Sequence, residues 1–495
     1  MAPTDTADEK KPDQPDQAKP DPTDDLVTTQ HVLAVGRRKL RYTADTGRVV
    51  IRQEVTADGK FTGHVPKASV FMTAYTLDDA DPATRPVTFA FNGGPGSSST
   101  WLHLGLFGPR RVVSGDAGSP AAPPYELTDN AESLLAHSDL VFIDPMSTGY
   151  TRPVEGEGAE DHLGFTGDIE SVGEVIRLWT TRNGRWLSPK FLAGESYGTT
   201  RAGGLAQHLQ QRHGMYLNGL ILVSSVLDFR TLRFQEGNDL PYALFLPTYA
   251  AIAHYHGKHG KRRLADVLAE AEAFAARDYP YALAQGARMS AEERAAAVAK
   301  TAELTGLSAD YVDRVDLRIE HMRFFTELLR SERRTVGRLD GRFTGWEGDY
   351  GRERMSEDPA GAAITGAYTA AINHYLRAEL EYTSDLPYEV ISFDAFKAWS
   401  YKDFEGSHVT VTDRLSAAMR TNPHLKVHIA SGHTDGATPY YATEHSVAHL
   451  AIPDELRGNI EIKYYPAGHM MYVHEPSRVQ QSKDIAAFVK AASGS

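Results

Sequence analysis

The sequence predicts an α/β fold, a mostly parallel central sheet with a helical insertion between its later strands. Three observations predict it. Apolar runs of strand length recur near residues 86–91, 139–144, 190–193, 218–224, 426–430 and 460–465. Several of these runs end in loops rich in glycine and polar side chains, the pattern of reactive loops at the carboxyl edge of such a sheet. Between about residues 230 and 390 the texture changes to strong helix formers.

Taken in order, residues 1–25 hold eight acidic and three basic side chains, five prolines and almost no large apolar side chain. This segment cannot bury enough surface to offset its ordering entropy, so it is expected to be disordered. From Leu40 to about Thr76 the pattern alternates, with Asp45-Thr46-Gly47 as an expected turn, and predicts an antiparallel lead-in to the sheet. The run Pro86–Phe91 opens into Asn92-Gly93-Gly94-Pro95-Gly96, where glycines let backbone N–H groups approach a ligand. The run Phe191-Leu192-Ala193 leads into Gly194-Glu195-Ser196-Tyr197-Gly198 and then a helical segment. A strand turning sharply into a helix through Gly-x-Ser-x-Gly lifts the serine hydroxyl above the sheet, which is the nucleophile elbow of α/β-hydrolases.

A serine nucleophile needs a base and a group to orient it, in the chain order Ser, acid, His. The strand 426–430 runs into Ser431-Gly432-His433-Thr434-Asp435, and the strand 460–465 into Pro466-Ala467-Gly468-His469. Asp435 and His469 therefore fall just past strands in the required order; Asp413 and Asp454 are the alternative acids. The oxyanion hole would use the N–H of Tyr197, after the serine, and one from the glycine loop.

These segments together resemble the serine carboxypeptidase family. Asn92-Gly93-Gly94-Pro95-Gly96, Gly194-Glu195-Ser196-Tyr197, Gly432-His433-Thr434-Asp435 and Gly468-His469-Met470 look like four family signatures, with Phe142-Ile143-Asp144-Pro145 and Thr148-Gly149-Tyr150 a fifth. The resemblance runs from about residue 60 to the C-terminus and is weakest between roughly 230 and 390. It implies a serine-type peptidase of the carboxypeptidase kind, without cofactor or metal. Ser196 would be the nucleophile, His469 the base, Asp435 the orienting acid, and the N–H groups of Gly94 and Tyr197 the oxyanion hole. Asn92, Gly93 and Glu195 would bind the peptide's terminal carboxylate, Glu195 in its protonated form, which favours acidic pH. A further glutamate expected of the family before Gly108-Pro109 is Leu106 here, and its half-cystine is Ser97. An acyltransferase or esterase of the same family, or a non-catalytic binding protein on the same scaffold, are the rival readings.

The expected organisation is a tail (1–25), a catalytic domain (26–230 and 390–495) and a helical cap insertion (231–389). Ser290-Ala291-Glu292-Glu293 opens one predicted helix of the cap and Val315–Met322 is a second. Tyr242, Phe245, Tyr249 and Tyr255 are expected to pack the cap's own core, with a substrate pocket as the alternative. His254, His256 and His259 cluster without a cysteine or carboxylate at ligand spacing, so metal binding is not expected. The formal charge of −13 argues against nucleic-acid binding, and no apolar run is long enough to span a membrane. The chain has no cysteine, and its first residues lack the basic and apolar regions of a signal peptide. A cytoplasmic location is favoured, with a secreted or periplasmic protein whose signal has been removed as the alternative.

Overall fold

The computed structural model describes residues 21–494. Nine strands form the body of one sheet: β1 (Asp25–Val35), β2 (Arg38–Ala57), β3 (Lys60–Leu77), β4 (Val87–Phe91), β5 (Asp139–Ile143), β6 (Lys190–Glu195), β7 (Gly219–Val223), β8 (Lys426–Gly432) and β9 (Ile460–Tyr465). Their order is β1-β2-β3-β5-β4-β6-β7-β8-β9, and Arg152–Pro153 adds a short tenth strand beside β3. From β5 to β9 every pairing is parallel, while β1 to β3 form an antiparallel ribbon that joins at β5. This is an α/β-hydrolase arrangement.

The central strands are apolar on both faces because both faces are covered. Phe191, Ala193, Ile221 and Val223 point to one core, and Leu192, Leu220, Leu222 and Ile429 to the other. The second core is closed by α1 (Phe165–Arg182) and α2 (Tyr197–His213), through Ile169, Val172, Ile176, Leu205 and Leu209. The first is closed by residues 101–107 and by two helices that come later in the chain. Between β7 and β8 the chain leaves the sheet, beginning with α3 (Leu240–Tyr255), and builds a separate core around Phe245, Tyr249, Phe324 and Phe325. Two long helices, α4 (Pro359–Ala378) and α5 (Glu475–Ala492), return to the first core through Ile364, Tyr368, Ile372, Ile485 and Phe488.

Two local expectations are corrected. Asp45-Thr46-Gly47 is not a turn: β2 runs straight through it, paired with β1 on one side and β3 on the other. Gly47 serves close strand approach instead, since a Cβ there would lie 1.8 Å from the Asp25 carbonyl oxygen. The reversal sits at Asp58-Gly59, both at positive φ. Val315–Met322 is not a helix either. Asp316 and Leu317 adopt φ of +52° and +62°, and Leu317 and Ile319 sink into the insertion's core at two-residue spacing. A helix begins only at His321. The expected capping box does form, Ser290 accepting from Glu293 N–H. The disorder expected for residues 1–25 falls mostly on residues outside the described ones, and Asp25 already opens β1.

Phe245 and Tyr249 are buried in the insertion's own core, Tyr242 packs against it, and Tyr255 is exposed. His254, His256 and His259 each face a main-chain carbonyl through Nε2, those of Arg262, Gly341 and Glu303. Among the described residues no helix is long and apolar enough to cross a membrane.

Candidate active site

The strand register decides where the chemistry gathers. Phe91 pairs with Gly194, Glu195 with Val223, Val223 with Ala430, and Gly432 with Tyr465. The carboxyl ends of β4, β6, β7, β8 and β9 therefore share one edge, and the residues that follow β4, β6, β8 and β9 are the predicted ones.

Ser196 sits between β6 and α2 with φ +60° and ψ −128°, a strained conformation for a residue with a side chain. Its N–H donates to the Val223 carbonyl at 3.0 Å, and its own carbonyl accepts from Thr199 N–H at 2.9 Å and Thr199 Oγ1 at 2.7 Å. Those bonds hold the elbow against its strain. The flanking glycines are required by contact: a Cβ on Gly194 would lie 2.2 Å from the Gly198 oxygen, and one on Gly198 2.7 Å from the Phe91 oxygen.

Gly93 approaches so closely that a Cβ there would lie 2.3 Å from the Tyr197 nitrogen. The glycine loop and the first turn of α2 are thus in contact. Tyr197 N–H is the first of its helix and has no intrahelical acceptor, and Gly94, at φ +102°, has no backbone acceptor for its N–H among the described residues. Two unmatched donors beside the serine are what an oxyanion hole needs.

Asp435 and His469 meet. His469 Nδ1 lies 2.9 Å from Asp435 Oδ2. Asp435 is completely buried, and its Oδ1 accepts the N–H groups of Ala437 at 2.8 Å and Thr438 at 2.9 Å. Thr438 Oγ1 donates to Oδ2 at 2.7 Å. Four donors hold that carboxylate in place. Burial pulls the His469 imidazole down, but the charge and hydrogen bond of Asp435 outweigh it, so the ring's pKa stands above its ordinary value. Asp413 and Asp454 are both exposed. Ser196 Oγ forms no hydrogen bond to His469.

Asn92 and Glu195 also meet. Asn92 Nδ2 donates to Glu195 Oε1 at 2.9 Å, while its Oδ1 accepts Leu102 N–H at 3.0 Å. Tyr472 hydroxyl reaches Glu195 Oε2 at 2.8 Å. Burial of the Glu195 carboxyl pushes it up to about 7, against the opposing charge of His469. Leu106 is turned into the apolar core at 1% exposure, on a short π-helix, His103–Phe107. A Cβ on neighbouring Gly105 would strike the Tyr472 ring. Tyr472, not a second carboxyl, occupies the space beside Glu195.

The profile of the serine carboxypeptidase family matches residues 62–492. The chain belongs to that family. A stretch of 164 residues is 30% identical to the pheromone-processing carboxypeptidase KEX1 of Yarrowia lipolytica, covering 32% of this chain and 24% of that protein. The match thus spans about a quarter of the length of that relative. The fold is similar to that of the prohormone-processing carboxypeptidase KEX1 of Saccharomyces cerevisiae, with a TM-score of 0.54 over 91% of each chain at 14% identity.

Several supporting residues of this family member escape sequence reading. Arg201, fully buried on α2, donates to Asp168 of α1 at 2.7 Å and to the Asn92 carbonyl at 2.6 Å. It ties the start of the glycine loop to two helices. Arg201→Met leaves Asp168 buried without its cation, and is expected to cost about 3–5 kcal/mol of stability. The double variant Asp168→Leu/Arg201→Met should recover most of the urea midpoint while catalysis stays impaired, because the Asn92 carbonyl remains released. Recovery of both would assign Arg201 to stability alone. Asp144, at the end of β5, accepts Ser99 N–H and Tyr388 hydroxyl, each at 2.8 Å, and so braces the far end of the loop.

The insertion supplies the floor. The Leu339 carbonyl accepts His469 N–H at 2.6 Å and the Arg338 carbonyl accepts Gly436 N–H at 3.0 Å. Asp340 accepts Thr434 Oγ1 at 2.9 Å and is held by Arg342. One short segment thus braces both the loop that carries Asp435 and the loop that carries His469. No sequence signal marked it, because its contacts to Gly436 and His469 are made by main-chain carbonyls.

Proposed function

We propose that this protein is a serine carboxypeptidase that removes C-terminal residues from peptides through an acyl-enzyme. The buried Asp435–His469 pair beside the Ser196 elbow carries the reading. Ser196 Oγ adds to the scissile carbonyl as His469 Nε2 takes its proton, and Asp435 steadies the imidazolium. The oxyanion falls to the N–H groups of Gly94 and Tyr197. Collapse of the tetrahedral adduct expels the amine, which takes its proton from His469, and water then hydrolyses the ester by the same steps. Asn92, Gly93 and Glu195 hold the terminal carboxylate, Glu195 donating its proton rather than repelling the anion.

The deciding assay uses a blocked dipeptide, free-acid or amidated, at about pH 5 and pH 7.5, where the Glu195 carboxyl changes state. Cleavage confined to the free acid, and lost in Ser196→Ala, supports the proposal. Turnover of esters but neither peptide would move the protein to the esterase reading.

Glu195 makes a pH prediction. As pH passes about 7, its carboxyl ionises, and KM for a free-acid peptide rises. Glu195→Gln, neutral at every pH, should flatten that rise and leave the acidic limb of kcat, set by His469, in place. An unchanged KM profile would remove Glu195 from carboxylate binding. The same group affects stability. Its folded pKa is raised, so the native state keeps a proton that the unfolded chain releases near 4.3. Its contribution therefore falls between that pH and about 7, and Gln should remove this slope.

A further inference from the structure

The arginines that this fold buries most deeply all hold a carboxylate. Arg185 pairs with Asp139, Arg201 with Asp168, Arg342 with Asp340, and Arg478 with Glu132 and Glu475. Arg338 does not. It is half-buried on the segment that braces both loops of the catalytic pair, yet its guanidinium makes no ion pair and no side-chain hydrogen bond among the described residues. Its carbonyl is fixed by Gly436, the residue after Asp435, and the next carbonyl by His469 itself. The wall beside it comes from the insertion: a Cβ on Gly436 would lie 2.2 Å from the Phe325 ring.

The charge of Arg338 is felt on both sides. Burial first, and then Arg338, holds His321 down at about 3. At His469, burial and Arg338 oppose protonation, and Asp435 and Glu195 outweigh them. A cation partly removed from water, on the segment that braces His469 and without an ion-pair partner among the described residues, gains most when an anion arrives to pair with it. The anion a peptidase substrate offers is a carboxylate.

We propose that Arg338 is a specificity residue whose guanidinium pairs with a carboxylate of the bound peptide. This rests on the peptidase reading above. The carboxylate is either the terminal one, where Arg338 offsets the loss of a glutamate at Leu106, or an acidic side chain beside the scissile bond. Because a guanidinium stays charged at every working pH, this contact persists where Glu195 ionises.

The test compares wild type, Arg338→Ala and Arg338→Lys on three blocked dipeptides with a free C-terminus, carrying Ala, Gln or Glu on the acyl side. Loss of a charge-assisted hydrogen bond should raise KM about tenfold to a hundredfold in Arg338→Ala, with kcat changed far less and partial rescue by Lys. A rise confined to the Glu peptide assigns the acidic side chain; an equal rise on all three assigns the terminal carboxylate. Unchanged KM on all three overturns the proposal, as does a fall in kcat alone that Lys does not restore, which would mark a prop for His469. Calorimetry in the Ser196→Ala background, with the free-acid Glu and Ala dipeptides and their amides, keeps the test independent of turnover. If no peptide is cleaved, carboxylate-dependent binding lost with Arg338 still supports the site, and equal binding of acid and amide overturns it.

Discussion

Ser196→Ala is expected to lower kcat for peptide hydrolysis about a millionfold, because triad members act as a unit and losing the nucleophile forfeits all of it. The fold should survive. Alanine and serine both carry a Cβ, so the strain at φ +60° is unchanged, and the bonds that hold the elbow come from the Ser196 main chain and from Thr199. The hydroxyl itself bonds to nothing that would be left unpaired. Thermal midpoints should therefore coincide while labelling by a fluorophosphonate disappears. A variant that keeps more than a hundredth of the wild-type rate would assign the nucleophile elsewhere. The small residual rate should come from binding and from the oxyanion donors at Gly94 and Tyr197.

Asp435→Asn should cost about ten-thousand-fold in kcat with little loss of geometry. The amide oxygen can still accept the N–H groups of Ala437 and Thr438 at the Oδ1 position. At the Oδ2 position, however, an NH2 group replaces an acceptor and faces His469 Nδ1 and Thr438 Oγ1. Two donors cannot face each other, so the imidazole is driven to carry its proton on Nε2, where it cannot take one from Ser196. The direction of the accompanying pKa change follows as well. Asp435 is the main group raising His469 against its burial, so the ring should titrate lower in the variant, readable from its proton resonances. A kcat within tenfold of wild type, or a ring that titrates as before, would show that Asp435 does not orient the base.

The elbow, the glycine loop and the two strand-end residues Asp435 and His469 were legible in the amino-acid sequence. The reason is local. A sharp strand-to-helix turn demands glycines at fixed positions, and a parallel sheet delivers the residues after its strands to one edge, so short motifs carry the geometry with them. Asn92 and Glu195 were legible only through the family resemblance, and their mutual hydrogen bond needed the register of β4 against β6. Gly47 misled for a physical reason too: glycine permits both a turn and close strand approach, and only β1 on its flank decides between them.

The tertiary structure alone decided the rest. Tyr472 meets Glu195 across 277 positions of chain, and Arg201 reaches the Asn92 carbonyl across 109. The insertion returns at Leu339 and Asp340 to brace the loops of His469 and Asp435 with contacts that no residue type advertises. The sequence by itself determined that Ser196, Asp435 and His469 stand in turns just past strands of one sheet, because short motifs hold them there. Only folding decided the surroundings of those residues, because the burial of Glu195 and the bracing of His469 arise where distant segments exclude water together.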